Sequence, residues 1–120
     1  MSKKTLVLGA SLNENRYSNI AIHRLRKYNH EVVAFGLREG MVTDVTIDIE
    51  KKEYKNLDTI ALYINPTRQK EFYDYIISLK PNRVIFNPGT ENSELMKILE
   101  ENDIKSEVAC TLVLLSINQY

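Results

Sequence analysis

Residues 9 to 18, "GASLNENRYS", place a glycine, two serines, two asparagines and an arginine between an apolar run and a helical pattern. That combination suits an anion. Gly9 lets the backbone approach a ligand closely, the N–H groups that open the helix near Tyr17 point at the same space with the helix dipole behind them, and Arg16 can pair with phosphate bidentately. Gly9 and Ser11 equally suit a tight turn and a helix cap, and Arg16 equally suits a solvated loop. Three more stretches share this composition: "GLREG" (36–40), "NPTRQ" (65–69) and "NPGTEN" (87–92). Arg38 in the first fits a ligand whose ribose carries a phosphate, or a surface pair with Glu39. The repeated Asn-Pro pairs can border a ligand or simply punctuate turns and start helices.

These stretches matter only if the fold gathers them. "TLVLG" (5–9) reads as a strand, Tyr17 to Tyr28 as a helix with Ala21, Leu25 and Tyr28 on one face, and Asn29 as a left-handed helix end. "EVVAFG" (31–36) is a second strand, and "MVTDVTIDI" (41–49) reads as one extended piece at a sheet edge. "TIALYI" (59–64) is a strand followed by a helix over 67–80, which Pro81 stops. "RVIFN" (83–87), the amphipathic 91–102 and "IKSEVA" (104–109) then read as strand, helix and strand, with 110–117 either a closing helix or another strand. Apolar strands alternating with helices predict an α/β, Rossmann-like doubly wound three-layer fold, a mostly parallel sheet of about five strands, in one domain over 1–120. Such sheets bind ligands outside the carboxyl ends of their strands, where strand order reverses. All four stretches leave strands at that rim.

Lysine plus arginine (16) balance aspartate plus glutamate (16), so no general electrostatic pull toward nucleic acid or an anionic membrane is expected. The lone Cys110 precludes an internal disulfide and fits a reducing, cytoplasmic setting. "LVLGA" is too short for a signal-peptide core and "VACTLVLLSI" too short to span a bilayer, which predicts a soluble chain.

Catalytic and metal constellations do not emerge. His23 sits beside Arg24 and Arg26 in a helix, His30 in a turn, and Asp44, Asp48 and Glu50 suit a solvated sheet edge, so neither a catalytic residue nor a metal ligand is assigned. Cys110 could form a mixed disulfide with a bound thiol if a helix starts there, and otherwise reads as a small buried apolar residue. A dinucleotide fingerprint needs G-x-G-x-x-G and an acid closing the second strand, whereas this chain has "GASLNE" and then Gly36 and Arg38. That disfavours NAD and leaves NADP or coenzyme A.

"VLGAS" followed by Asn13, Arg16, Tyr17 and Ser18, then "HEVVAFGLREG", "VIFNPGTEN" and the closing "EVACTLVLL", together resemble the small stand-alone CoA-binding protein family. Its fold resembles the CoA-binding domain of the succinyl-CoA synthetase α subunit. The resemblance runs over nearly the whole chain. It implies that Gly9, Ala10, Ser11, Asn13, Arg16, Tyr17 and Ser18 cradle the pyrophosphate and that Arg38 meets the phosphorylated ribose. Gly36 and Leu37, where many relatives have Asn-Pro, belong to the adenosine side. Ile64, Asn65 and Arg68 would line the adenine or pantetheine side, and Asn87, Pro88, Gly89 and Asn92 would border the pantetheine end. The implied function is non-catalytic binding of CoA or acyl-CoA. The synthetase's phosphorylated histidine and nucleotide-grasp domain have no counterpart in these residues. The alternatives are a small NADP- or nucleotide-dependent enzyme domain and a scaffold that binds nothing at the rim. No protein partner is indicated.

Overall fold

The computed structural model describes residues 2–120. Seven strands form one sheet: β1 (Thr5–Ala10), β2 (Val32–Gly36), β3 (Gly40–Val42), β4 (Val45–Asp48), β5 (Thr59–Leu62), β6 (Arg83–Phe86) and β7 (Lys105–Val108). Their order is β3-β4-β2-β1-β5-β6-β7, parallel throughout except where β3 pairs antiparallel with β4. From β1 the chain adds strands first on one side and then, at β5, on the other. The β1–β5 boundary is therefore the switch point, where adjacent crossovers diverge and leave a crevice above the sheet.

Helices cover both faces, as the doubly wound reading requires. On one side α1 (Tyr17–Lys27) and α5 (Thr111–Ser116) bury Ile22, Leu25 and Leu115 against Val7, Ala34 and Ile47. Opposite them α2 (Pro66–Gln69), a short 3-10 turn over Lys70–Phe72, α3 (Tyr73–Leu79) and α4 (Ser93–Glu101) enclose Leu6, Leu8, Ile60, Leu62, Val84 and Phe86. β1, β5 and β6 lie in the middle of the sheet, so successive residues are buried on both faces, which is why they are apolar rather than alternating. Asn29 ends α1 with φ 65°, as expected, and α3 ends at Lys80 with φ 51°, one residue before Pro81.

Three elements differ from the sequence reading. The 41–49 stretch is a hairpin rather than one piece, since Thr43 takes φ 54° and turns the chain back. That turn makes two strands, β3 and β4, of the one expected edge piece, and the sheet has seven strands where about five were expected. Asp44, read as a solvated edge charge, sits at the turn and receives Arg26 Nε and Nη2 at 2.9 and 2.7 Å, which holds its carboxyl down at about 2. The helix expected over 67–80 is broken by the 3-10 turn, whose tighter winding carries Phe72 under the crevice. Residues 111–116 resolve the remaining ambiguity as a helix. No helix among the described residues is long and apolar enough to cross a membrane.

Candidate functional site

A cavity of about 750 Å³ opens over the switch point, within the range of about 300–1,000 Å³ usual for small-molecule sites. Gly9, Ala10, Ser11, Asn13, Arg16, Tyr17, Ser18, Gly36, Leu37, Arg38, Ile64, Asn65, Arg68, Pro88 and Gly89, each singled out from the sequence, line it together. Asn87 and Asn92 do not.

At the cavity β1 and β2 end on residues without bulk. Gly9 has φ 106°, and a Cβ there would lie 2.8 Å from Ile64 Cγ2 and 2.9 Å from the carbonyl carbon of Tyr63. At Gly36 a Cβ would stand 2.3 Å from the Ala10 carbonyl oxygen. The ends of β1, β2 and β5 thus approach more closely than any side chain permits. The 11–16 loop is tied internally: Ser11 Oγ accepts from Asn13 N (3.1 Å), Asn13 Oδ1 from Asn15 N (2.9 Å), and Asn19 Nδ2 donates to the Ser11 carbonyl (2.9 Å). Ser11 therefore shapes the loop and does not cap the helix. The cap position of α1 is Arg16, which makes no capping side-chain bond, so the first-turn amides beside Tyr17 and Ser18 open on the cavity without a side-chain acceptor.

The electrostatics are one-sided. Arg16, Arg38 and Arg68 line the cavity while no aspartate or glutamate does. Among the described residues, none of these three guanidiniums forms an ion pair, and the pairs that do form use other cations. In a chain of zero formal charge, three cations without partners facing one cavity produce a local field for an anion. The lining contains no histidine, lysine or cysteine. Cys110 is a half-buried free thiol at the cap position of α5, outside the lining.

Asn87 and Asn92, expected at the pantetheine end, lie outside the lining and bond within the fold. Asn87 is buried, donates Nδ2 to the Leu62 carbonyl (3.0 Å) and accepts from Thr111 N (2.8 Å) and Oγ1 (2.9 Å), which pins β5, β6 and the start of α5 together. Asn92 caps α4 through Leu95 N (3.2 Å) and gives Nδ2 to Gln69 Oε1 and the Tyr73 hydroxyl, both at 2.8 Å. Their polar groups are consumed by the fold. Asn65 does both jobs, capping α2 through Arg68 N (2.9 Å) while lining the cavity.

Sequence reasoning missed Gln69, Tyr63 and the apolar floor. Gln69 is fully buried, and its Nε2 donates to the carbonyls of Ile64 (2.9 Å) and Thr90 (2.8 Å), so one amide fixes two rim loops. The signal was present: Gln69, Phe72, Ile76 and Leu79 share helical spacing, and a glutamine on that stripe must bond inward. Phe35 and Phe72 meet edge-on beneath the cavity at 5.5 Å and 73°. Tyr63 forms a wall, its hydroxyl pushed well above the usual tyrosine range by burial.

A Rossmann-like sheet whose switch-point cavity carries unpaired arginines and helix-opening amides has the groups that suit a phosphorylated ligand. The chain belongs to the family described as CoA binding domain, which it matches over residues 3–116. A crystal structure of an uncharacterized protein is similar at 49% identity and TM-score 0.97, over 100% of this chain and 99% of that one. A Thermus thermophilus structure, cell-free ID.343, shares the fold at 17% identity and TM-score 0.87, over 99% of this chain and 91% of that one. The dinucleotide-forming acetyl-coenzyme A synthetase 1 of Ca. Korarchaeum cryptofilum shares it at 11% identity and TM-score 0.74, with 91% of this chain aligned to 26% of the larger one. No curated protein matches the chain.

Proposed function

We propose that the cavity binds coenzyme A or an acyl-CoA and that the chain itself performs no reaction on it. The observation that carries this reading is the set of three arginines without acidic partners around a cavity at the switch point. CoA presents a diphosphate and a phosphorylated ribose, which three guanidiniums and the α1 amides suit. In this reading the pyrophosphate lies on Gly9 to Ser11, Asn13 and Arg16 to Ser18, and Arg38 meets the ribose phosphate. Gly36 and Leu37 flank the adenosine, Ile64, Asn65 and Arg68 lie along the adenine or pantetheine side, and Pro88 and Gly89 border the pantetheine end. A binding role without catalysis is supported by a lining that lacks histidine, lysine, cysteine and carboxylate, so the hydroxyls of Ser11, Ser18 and Tyr63 have none of these groups in the lining to activate them.

The test is displacement of a fluorescent etheno-adenine CoA analogue from ligand-stripped protein. CoA and acetyl-CoA should compete at micromolar concentration and NADPH should not. Binding of NADPH that CoA fails to displace would replace this reading with that of a small NADP-dependent domain.

A further inference from the structure

β7 ends the sheet and pairs on one side only, with β6. Its backbone direction is fixed by two bonds: Lys105 N donates to the Asn82 carbonyl and Ala109 N to the Phe86 carbonyl, each at 3.2 Å. Because backbone polar groups alternate sides along a strand, Lys105 and Glu107 turn toward β6, and Ser106 and Val108 turn their N–H and C=O groups outward. Nothing among the described residues pairs with that outer side. The side chains are placed in a matching order. Lys105 is exposed, Glu107 gives one carboxylate oxygen to Arg83 Nη1 (3.0 Å) while keeping a quarter of its side chain exposed, and Val108 is 60% exposed.

From this geometry we propose that a second copy of the chain docks along β7, strand to strand and antiparallel across a two-fold axis at Ser106. That register follows from the outward groups. Ser106 meets Ser106 of the second copy as a hydrogen-bonded pair, and Val108 N–H reaches the Ile104 carbonyl of the other strand, whose own N–H is already committed to Leu99. Lys105 then faces Glu107 of the second copy, and Glu107 faces Lys105, in the non-hydrogen-bonded positions where Cα atoms come within about 4.5 Å. The neighbouring two-fold register, centred on Glu107, would oppose two glutamates and is disfavoured. A lysine on a free edge ordinarily repels other strands, but here the same strand supplies its counter-charge in the correct position.

Sedimentation equilibrium on the full chain tests this. The expected mass is twice 13.9 kDa, concentration-dependent. Lys105→Glu, which sets glutamate against Glu107 twice, and Ser106→Pro, which removes an outward N–H without touching the bonds to β6, should each weaken association by about tenfold or more. Circular dichroism checks that both variants fold. Hydrogen exchange on the unaltered chain gives an independent reading: the Ser106 and Val108 amides should gain protection as concentration rises, while Lys105 and Glu107 stay protected throughout. A monomer at all concentrations, a dimer indifferent to both substitutions, or exchange at Ser106 and Val108 that does not depend on concentration would overturn the proposal.

Discussion

Gly9 and Gly89 form a natural controlled comparison, since both sit on the rim with positive φ, 106° and 90°, and differ in their surroundings. An alanine at either position carries the backbone cost of a side chain in that conformation, about 1–2 kcal/mol. At Gly89 nothing lies within 4 Å of the added carbon, so that cost is the whole effect. At Gly9 the added carbon also meets Ile64 Cγ2 at 2.8 Å and the Tyr63 carbonyl carbon at 2.9 Å. Ile64 can rotate, but the Tyr63 carbon belongs to backbone held by a bond from Tyr63 N to the Leu8 carbonyl at 2.9 Å, so β1 and β5 must separate. Overpacking of this kind costs about 1–3 kcal/mol more. Gly9→Ala should therefore destabilise by about 2–5 kcal/mol and Gly89→Ala by about 1–2 kcal/mol. Urea unfolding with matched m-values measures both. Equal losses, or a Gly9→Ala loss below about 0.5 kcal/mol, would refute the close approach of β1 to the end of β5 at Gly9.

Arg38→Ala should weaken CoA by about tenfold, the lower end for a charge-assisted bond because Arg38 is exposed, and leave dephospho-CoA nearly unchanged; equal losses measured by titration would remove Arg38 from the ribose phosphate. Asn87→Ala strands the Thr111 N–H and the Leu62 carbonyl in a buried setting and should cost about 2–3 kcal/mol in a urea melt, against less than about 0.5 kcal/mol for an asparagine that only borders solvent. His30 is buried with Nδ1 accepting from Lys3 N (2.9 Å), and burial, then Lys3 and Arg83, hold it below its ordinary 6.5. Its folded form thus binds fewer protons than the unfolded chain as pH falls below 6.5, so the stability it lends is present above that value and lost on acidification toward the lowered folded value. Urea midpoints at pH 7.5 and 5.5 should fall with acid, and His30→Gln should flatten the difference; an unchanged slope in the variant would assign it elsewhere.

The apolar runs of β1, β5 and β6 have no polar alternation, so a strand buried on both faces was legible from Leu6, Ile60 and Val84 alone, and with it the rim that gathers four loops. The hairpin at Thr43 was not legible because its left-handed residue is a threonine, without the glycine or asparagine that usually marks such a turn. Residue type alone also could not separate Asn65 from Asn87 and Asn92. All three leave strands or open helices near the rim, and only the distances show that Asn87 and Asn92 spend every polar group on the fold. The arginines were visible as candidates, but their want of partners depends on where the carboxylates fall. Asp44 turned to Arg26 and Glu107 to Arg83, on elements away from the cavity.

Isothermal titration of ligand-stripped protein with CoA, run beside the variant Arg16→Ala/Arg38→Ala/Arg68→Ala, tests whether the arginine-lined cavity is a CoA site. CoA held by the three arginines should give a single saturable site in the unaltered chain, weakened by added salt, and a loss of affinity of at least about a hundredfold in the variant. No saturable binding, or binding that the variant retains in full, would contradict it.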